Sequence, residues 1–252
     1  MSVTGFKDHF SDHAKAYAGA RPRYPDTLFA WLATLTPNHD VAWDCGTGNG
    51  QAAVGLAAHY ARVIATDPSQ QQLESAFPHL RVHYRQGLAE SPGLEPQSVD
   101  LVTVAQAVHW FDRPKFYQQL RHVLKPGGAV AVWCYSLCHI QPDIDAAIQV
   151  FYTGEINLYW PPERALIDDG YRTLDFPFEE IPASPLQMQV HWTLEQFLAY
   201  LRTWSAVQKF MIKNGRDPVT GLQTQFELLW GGSERVRTVS WPLHIRAGHV
   251  QN

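Results

Sequence analysis

Three glycines on alternate positions follow an acid in the first fifth of the chain, as Asp44, Gly46, Gly48 and Gly50. An apolar run precedes them, and the helix-favouring residues 51–54 follow. Glycine has no Cβ and adopts positive φ values readily, so a ligand can lie directly on the backbone of such a turn. Amides at the start of the next helix then point at the ligand. The pattern predicts a strand, a tight turn and a helix that form a ligand-binding cradle.

Two ligand classes use a glycine-rich turn of this kind, dinucleotides and S-adenosylmethionine (SAM). The dinucleotide fingerprint G-x-G-x-x-G needs its third glycine at position 51, where this chain has Gln51. Asp44 is also unfavourable for a dinucleotide, because its carboxylate would repel a pyrophosphate. SAM has no phosphate and carries an ammonium and a sulfonium, so spacing and charge favour SAM. The alternative is a Rossmann-like turn with another ligand or with none.

A second acid, Asp67, ends a short β-branched run over residues 63–67. It lies about twenty residues after the glycines, where a Rossmann-like fold places a carboxylate on ribose hydroxyls. SAM also contains a ribose. A helix cap is the alternative, since Asp67-Pro68-Ser69 is also typical of a helix start. Taken together with the glycine turn, Asp67 is predicted to bind the ribose.

Candidate residues for acceptor chemistry come later in the chain. His109 follows a nearly continuous apolar run and could be a general base for a hydroxyl or amine acceptor, or a packed orienting residue. A carboxylate acceptor needs no base but needs a cation. Arg164, Arg172 and Arg202 are the candidates in the second half, and solvated surface arginines are the alternative.

The elements that must position these residues alternate between strand and helix. The predicted strands are residues 41–45, 63–67, 80–84, 99–108 and 129–135. Asp112 is the predicted N-cap of the helix between the last two of them. Such alternation predicts a mostly parallel sheet whose ligand crevice lies outside the carboxyl ends of the strands.

The last hundred residues have a different character. Residues 178–192 contain two strand-like pieces, and a helix is predicted to start with a capping box at Thr193. A closing strand over residues 236–246 contains Pro242, which indicates an edge or a bulge. Five of the 9 tryptophans lie beyond residue 150. Core packing is the default reading of each, but so many large rings also suit an aromatic-lined substrate pocket.

Composition bounds the organisation and the partners. A chain of 252 residues with 45% hydrophobic content suits one α/β domain. We expect a helical lid over residues 1–36, a SAM-binding core over 37–136, and a substrate-side elaboration with the closing strands over 137–252. The net charge of −4 and the scattered basic residues argue against nucleic acid.

The cellular setting and metal content are also expectations. No signal-peptide core and no apolar run of membrane-spanning length occur, so we expect a soluble, cytoplasmic protein without membrane association, as a monomer or homodimer. Three cysteines are an odd number and read as buried thiols. The 12 histidines form no ligand pattern, so no metal is predicted.

These residues resemble the class I SAM-dependent methyltransferases, in particular a branch similar to trans-aconitate methyltransferase. The general motif matches residues 44–50 and the ribose acid Asp67, and residues 124–128 resemble the usual lead into the fifth strand. The branch is indicated by three segments: residues 17–25, with Tyr17 and Arg21, residues 105–111 and residues 200–205.

The resemblance implies a Rossmann-like sheet of seven mostly parallel strands, the last antiparallel, with helices on both faces and a helical, aromatic elaboration on the substrate side. It implies methyl transfer from SAM to a small organic acceptor, with a slight preference for a carboxylate and with S-adenosylhomocysteine (SAH) as product. Two alternatives remain. One is O- or N-methylation of a hydroxyl or amine with His109 as base, and the other is a SAM-binding protein without turnover.

The resemblance also implies roles for individual residues. Arg21 would pair with the SAM carboxylate, and Tyr17 would approach the methyl region. Leu88 departs from the family, because many relatives carry an acid there for the adenine amino group; that contact must come from the backbone or Glu90, or be absent. The implied cofactor-binding residues are Tyr17, Arg21, Asp44, Gly46, Gly48, Asp67, Pro68, Leu88, Ala89 and Gln106. The implied catalytic residues are His109 and Tyr17, and the implied substrate-binding residues are Trp110, Tyr159, Trp160, Tyr200, Arg202 and Trp204.

Overall fold

A computed structural model of the protein describes residues 21–250. Within this range the chain forms one eight-stranded sheet, with seven strands in the order β3-β2-β1-β4-β5-β8-β6 and with β7 paired to β8. The strands are β1 (Val41–Cys45), β2 (Arg62–Asp67), β3 (Val82–Gln86), β4 (Val99–Ala105), β5 (Leu124–Cys134), β6 (Glu179–Ile181), β7 (Leu186–Trp192) and β8 (Arg237–His249).

The direction of the strands confirms the predicted fold class. The strands β1 to β5 pair with one another in parallel, and β8 runs antiparallel to β5. The sheet has one strand more than the seven expected, because both strand-like pieces of residues 178–192 pair with the long β8. Pro242 lies opposite Gln187 of β7, outside the stretch of β8 that pairs with β5. Its missing N–H therefore does not interrupt the ladder between β8 and β5.

Helices flank this sheet, and several begin where the sequence signals them. Asp112 accepts a hydrogen bond from the amide of Lys115, and Thr193 and Gln196 form the predicted capping box. The helices of the described range are α1 (Asp26–Ala33), α2 (Gln51–Leu56), α3 (Gln70–Glu74), α4 (Arg113–Val123), α5 (Pro142–Thr153), α6 (Arg164–Asp168), α7 (Leu194–Arg202), α8 (Ser205–Asn214) and α9 (Gln223–Trp230).

The expected N-terminal lid falls partly within the described residues. Helix α1 buries Leu28 and Leu32 completely, so this part of residues 1–36 is packed into the hydrophobic core. Residues 1–20, including Tyr17, lie outside the described residues. Closure of that segment over a ligand stays a prediction.

The strand order fixes where a ligand can bind. The chain passes from β1 to β2 and β3 on one side and then returns to place β4 on the other side of β1. In sheets of this kind the crevice lies at the carboxyl ends of the strands where the order reverses. Here that position is the end of β1 and β4, next to the glycine turn.

Among residues 21–250 no helix has both the length and the apolar character needed to cross a membrane.

Candidate functional site

The glycine turn directly follows β1 and has a left-handed backbone. Gly46 has φ +69 and Gly48 has φ +55, a region that side chains other than glycine adopt at a cost. A Cβ on Gly46 would lie 2.6 Å from the Cβ of Ala107, so the turn packs tightly against the loop after β4. A Cβ on Gly48 would meet only the Gln72 Oε1, at 3.9 Å. The backbone of Gly48 therefore borders open space, as a cradle for a ligand requires.

Asp44 lies beneath this turn and is completely buried. Its two carboxylate oxygens accept hydrogen bonds from the hydroxyls of Thr47, at 2.5 Å, and Thr103, at 2.8 Å. Burial raises the pKa of Asp44 to about 6, and the two hydroxyls oppose that shift. Asp44 is thus placed to hold the turn from below.

Asp67 joins the end of β2 to the same turn. Its Oδ2 accepts from the amide of Gly48 and its Oδ1 from the amide of Ser69, each at 2.9 Å. Ser69 is the residue that caps α3, by accepting from the amide of Gln72. The cap is therefore Ser69, and Asp67 positions the turn. Asp67 thus connects the glycine turn to the start of α3.

A cavity of about 720 Å³ opens above the turn, and we call it the larger cavity. Its volume lies in the range of cofactor sites. It is lined by most of the residues that the sequence assigned to the cofactor, namely Arg21, Gly46, Gly48, Asp67, Pro68, Leu88, Ala89 and Gln106. Asp44 lies behind the turn and is not part of the lining. Glu90 also lines the cavity and accepts a hydrogen bond from the amide of Asp112 at 2.8 Å.

A second cavity of about 80 Å³ adjoins the first, and we call it the smaller cavity. Four residues line both cavities: Arg21, Gln106, Trp110 and Tyr135. Other members of the lining include His109, Trp160, Arg164, Tyr200 and Trp204. Its volume suits a small functional group.

Four of the six residues assigned to the substrate from sequence line the smaller cavity, namely Trp110, Trp160, Tyr200 and Trp204. The other two, Tyr159 and Arg202, are absent from the described lining of both cavities. The Nε of Arg202 lies 2.7 Å from Oδ2 of Asp217, and the hydroxyl of Tyr159 accepts from Asn214. Both side chains are therefore engaged outside the two cavities.

Arg164 is the second arginine of the smaller cavity. Its Nε donates to the hydroxyl of Tyr152 at 2.9 Å and to Oδ1 of Asp168 at 3.2 Å. Its guanidinium lies 4.7 Å from the centre of the Trp160 ring. Within the described part of the chain no residue accepts from its two terminal nitrogens, and the indole N–H of Trp160 is also buried without an acceptor. Two adjacent residues therefore offer unused donors at this cavity.

His109 is buried beside these donors, with 5% of its surface exposed. Its Nδ1 lies 2.9 Å from the hydroxyl of the fully buried Tyr171. Burial, reinforced by the charges of Arg164 and Arg113, lowers the pKa of His109 to about 3. The imidazole is thus neutral and weakly basic throughout the physiological pH range.

Gln106 directly follows β4 and has φ +56, a strained value for a residue other than glycine. Its backbone amide donates to the carbonyl of Trp133, and its Nε2 donates to the carbonyl of Tyr135, both at 2.9 Å. Its Oε1 is buried without a donor among the described residues. The strain and the unsatisfied oxygen both occur where the two cavities meet.

Arg21 connects the start of the described chain to the residues that follow β5 and α7. Its Nη1 donates to the hydroxyl of Tyr135 at 3.1 Å and its Nε to the hydroxyl of Thr203 at 3.0 Å.

Sequence reasoning missed Tyr135 and Glu163, which both line the larger cavity. Tyr135 directly follows β5, so the rule that ligands bind at strand ends could have found it. Within residues 21–250 no three His, Cys, Asp or Glu side chains form a group that could hold a metal ion.

Comparison with known proteins gives a consistent result. A family described as a methyltransferase domain matches residues 43–132. A protein of Dictyostelium discoideum named as a methyltransferase is 35% identical over 96% of this chain and 95% of its own length. A probable S-adenosylmethionine-dependent methyltransferase of Saccharomyces cerevisiae is 26% identical over 80% of this chain and 82% of its own. A solved structure described as a type II methyltransferase from Anaeromyxobacter dehalogenans is 44% identical, covers 91% of this chain and 97% of its own, and superposes with a TM-score of 0.85.

Proposed function

Because the chain belongs to the class I SAM-dependent methyltransferases, we propose that it methylates a small organic acceptor whose preferred methylated group is a carboxylate. The observation that carries this proposal is the smaller cavity, which adjoins the larger one and offers the unused donors of Arg164 and Trp160. The trans-aconitate branch of the family remains part of the proposal.

The larger cavity fits SAM on three counts. The open space over Gly48 admits a ligand against the backbone, Asp67 places a carboxylate in the cavity lining at the end of β2, a group that suits ribose hydroxyls, and the apolar Leu88 and Ala89 suit an adenine ring. Bound there, SAM supplies an electrophilic methyl group on a sulfonium. Glu90 lines the same cavity and is the nearest replacement for the family's acid at position 88, with one oxygen already held by the amide of Asp112.

A carboxylate acceptor agrees with the charges of the smaller cavity. A planar guanidinium with two free terminal nitrogens can bind a carboxylate through two parallel hydrogen bonds. Asp168 and Tyr152 fix the Nε of Arg164, and the Trp160 ring supports one face, so the guanidinium is pre-oriented. A carboxylate is already anionic, so the protein need only hold it in line with the methyl group.

The low pKa of His109 supports an orienting role for this residue. An imidazole whose conjugate acid has a pKa of about 3 is a poor base for a hydroxyl. Its contact with Tyr171 instead fixes a wall of the smaller cavity. A hydroxyl or amine acceptor with His109 as general base is the second candidate.

Turnover with an identified acceptor is the direct test. A panel of carboxylic acids, phenols and amines is incubated with labelled SAM, and the methylated products are identified. Methyl esters are the expected products. Transfer only to phenols or amines would replace the carboxylate proposal with the second candidate. SAM binding by calorimetry without any labelled product would indicate a binding protein.

Substitution of His109 by glutamine is expected to reduce kcat less than tenfold with a carboxylate acceptor. Glutamine can preserve the hydrogen bond to Tyr171, and no proton has to be removed. Wild type and His109→Gln should show the same pH dependence from pH 6 to 8, because the pKa of His109, about 3, lies below that range. A rate that rises with pH near the ordinary histidine pKa and a loss of about 100-fold in His109→Gln would identify a base.

Substitution of Asp67 by alanine is expected to weaken SAM binding by about 1–3 kcal/mol in calorimetry, because ribose hydroxyls lose a charged acceptor. The variant also frees the amides of Gly48 and Ser69, and Asp67→Asn is the matched control that keeps an acceptor for the amide of Gly48. Asp67→Asn should show an intermediate loss. An unchanged affinity in folded Asp67→Ala would remove Asp67 from the cofactor site.

A further inference from the structure

The junction of the two cavities is lined by a cation, an amide and two aromatic residues. Arg21, Gln106, Trp110 and Tyr135 are the described residues common to both linings. If methyl transfer proceeds as proposed above, the methyl group must pass from the larger cavity to the smaller one. The sulfonium that carries it then lies at this junction, and the inference below rests on that proposed function.

A sulfonium at the junction would have an electrostatic problem. The guanidinium of Arg21 repels a second positive charge, and repulsion is stronger in a partly buried site than in water. Compensation requires an oxygen with unused lone pairs or the face of an aromatic ring. Among the four residues, one lone pair of the Tyr135 hydroxyl is engaged by a hydrogen bond from Arg21. The Oε1 of Gln106 is buried and accepts none from the described residues.

The orientation of the Gln106 amide is determined by its neighbours. Only an amide nitrogen can donate to the carbonyl of Tyr135, so Nε2 faces that carbonyl and Oε1 takes the other side. The positive φ of the residue is held by the hydrogen bond from its amide to the carbonyl of Trp133. An oxygen kept unsatisfied on a strained residue indicates a ligand-binding role.

We propose that the Gln106 Oε1 contacts the sulfonium of SAM and makes the site distinguish SAM from SAH. During transfer the C–S bond breaks, its electron pair stays on sulfur, and a lone pair of the acceptor oxygen forms the new C–O bond. The sulfur is then a neutral thioether, so the attraction to Oε1 falls while the rest of the ligand is unchanged. Gln106 is thus a positioning residue that holds the reactant more tightly than the product.

Binding of SAM and of SAH tests this without an acceptor. In calorimetry, Gln106→Met should raise the Kd of SAM about fivefold to tenfold and the Kd of SAH less than twofold. Equal weakening of SAM and SAH binding would mean that Oε1 contacts a group present in both ligands. An unchanged SAM affinity would mean that Oε1 contacts neither ligand. Either outcome would overturn the proposal. These two binding outcomes do not decide whether the protein turns over, which the panel of carboxylic acids, phenols and amines tests separately.

Gln51→Met is the matched control. Gln51 lines only the larger cavity, and both atoms of its amide have partners, since Oε1 accepts from the amide of Tyr24 and Nε2 donates to the carbonyl of Pro22. Any change in affinity should be equal for SAM and SAH. A change in the SAM-to-SAH ratio as large as that of Gln106→Met would overturn the assignment to Gln106.

A second measurement uses the wild-type protein and covers the case in which Gln106→Met does not fold. The probe is an analogue of SAM whose sulfonium is replaced by a carbon that bears an ammonium group. This analogue carries a positive charge in place of the methyl group, one bond from the sulfur position, whereas SAH carries no charge there. It should bind at least fivefold more tightly than SAH, and equal or weaker binding would overturn the proposal.

Discussion

Replacement of Arg164 by methionine is expected to lower kcat/KM for a carboxylate acceptor by about 100-fold or more, while SAM affinity stays within twofold. Two charge-assisted hydrogen bonds to a carboxylate contribute roughly 3 kcal/mol, which corresponds to about 100-fold. Methionine keeps much of the apolar volume beside Trp160. Asp168 remains hydrogen-bonded to Tyr152, so the substitution leaves no buried charge without a partner.

Two further variants separate the carboxylate site from general damage. Arg164→Lys keeps the charge but loses the planar pair of donors, and should recover only part of the activity. Arg202→Met removes the arginine that sequence reasoning preferred, which pairs with Asp217 away from both cavities. Arg202→Met should retain kcat/KM. Loss in Arg202→Met together with normal kinetics in Arg164→Met would return the role to Arg202.

Replacement of Asp44 by asparagine is expected to change the pH dependence of stability by up to about 3 kcal/mol. Burial raises the pKa of Asp44 from 3.8 to about 6 in the folded state, so folding favours the protonated carboxyl. This preference stabilises the folded protein fully below pH 3.8, and the stabilisation is lost as the pH rises through about 6. A shift of roughly two pH units at about 1.4 kcal/mol each gives the total.

Urea unfolding of both proteins between pH 4 and 8 measures this effect. The difference between the unfolding free energies of Asp44→Asn and wild type should increase towards high pH, in favour of Asp44→Asn. Groups common to both proteins cancel in the difference. A difference that does not vary with pH would show that Asp44 titrates normally in the folded protein.

Local signals account for what the sequence predicted correctly about the elements. A glycine turn, a capping box at Thr193 and an N-cap at Asp112 each depend on residues close in the chain, so spacing alone reveals them. The two strand-like pieces before β8 were found in the same way. Their pairing with one long strand depends on partners about 45 to 70 residues away, and the expected number of strands was therefore one short.

The acceptor side of the candidate site depends on contacts between distant elements. Arg164 and Arg202 have the same side chain, and only the packing of Tyr152, Trp160 and Asp168 around Arg164 distinguishes them. The pKa of His109 likewise follows from burial and from Arg164, which is 55 positions further along the chain. No spacing rule contains this information.

The strand β8 also determines when the molecule can be completed during synthesis. Within the described chain β6 and β7 form ladders only with β8, although both precede it in sequence. A ribosome exposes the N-terminal part of a chain first, so the strands β1 to β5 can associate before β8 emerges. The strands β6 and β7 then have no edge to join. Until β8 has been translated, the nascent chain therefore carries the complete glycine turn together with two segments whose ladder partner is still missing.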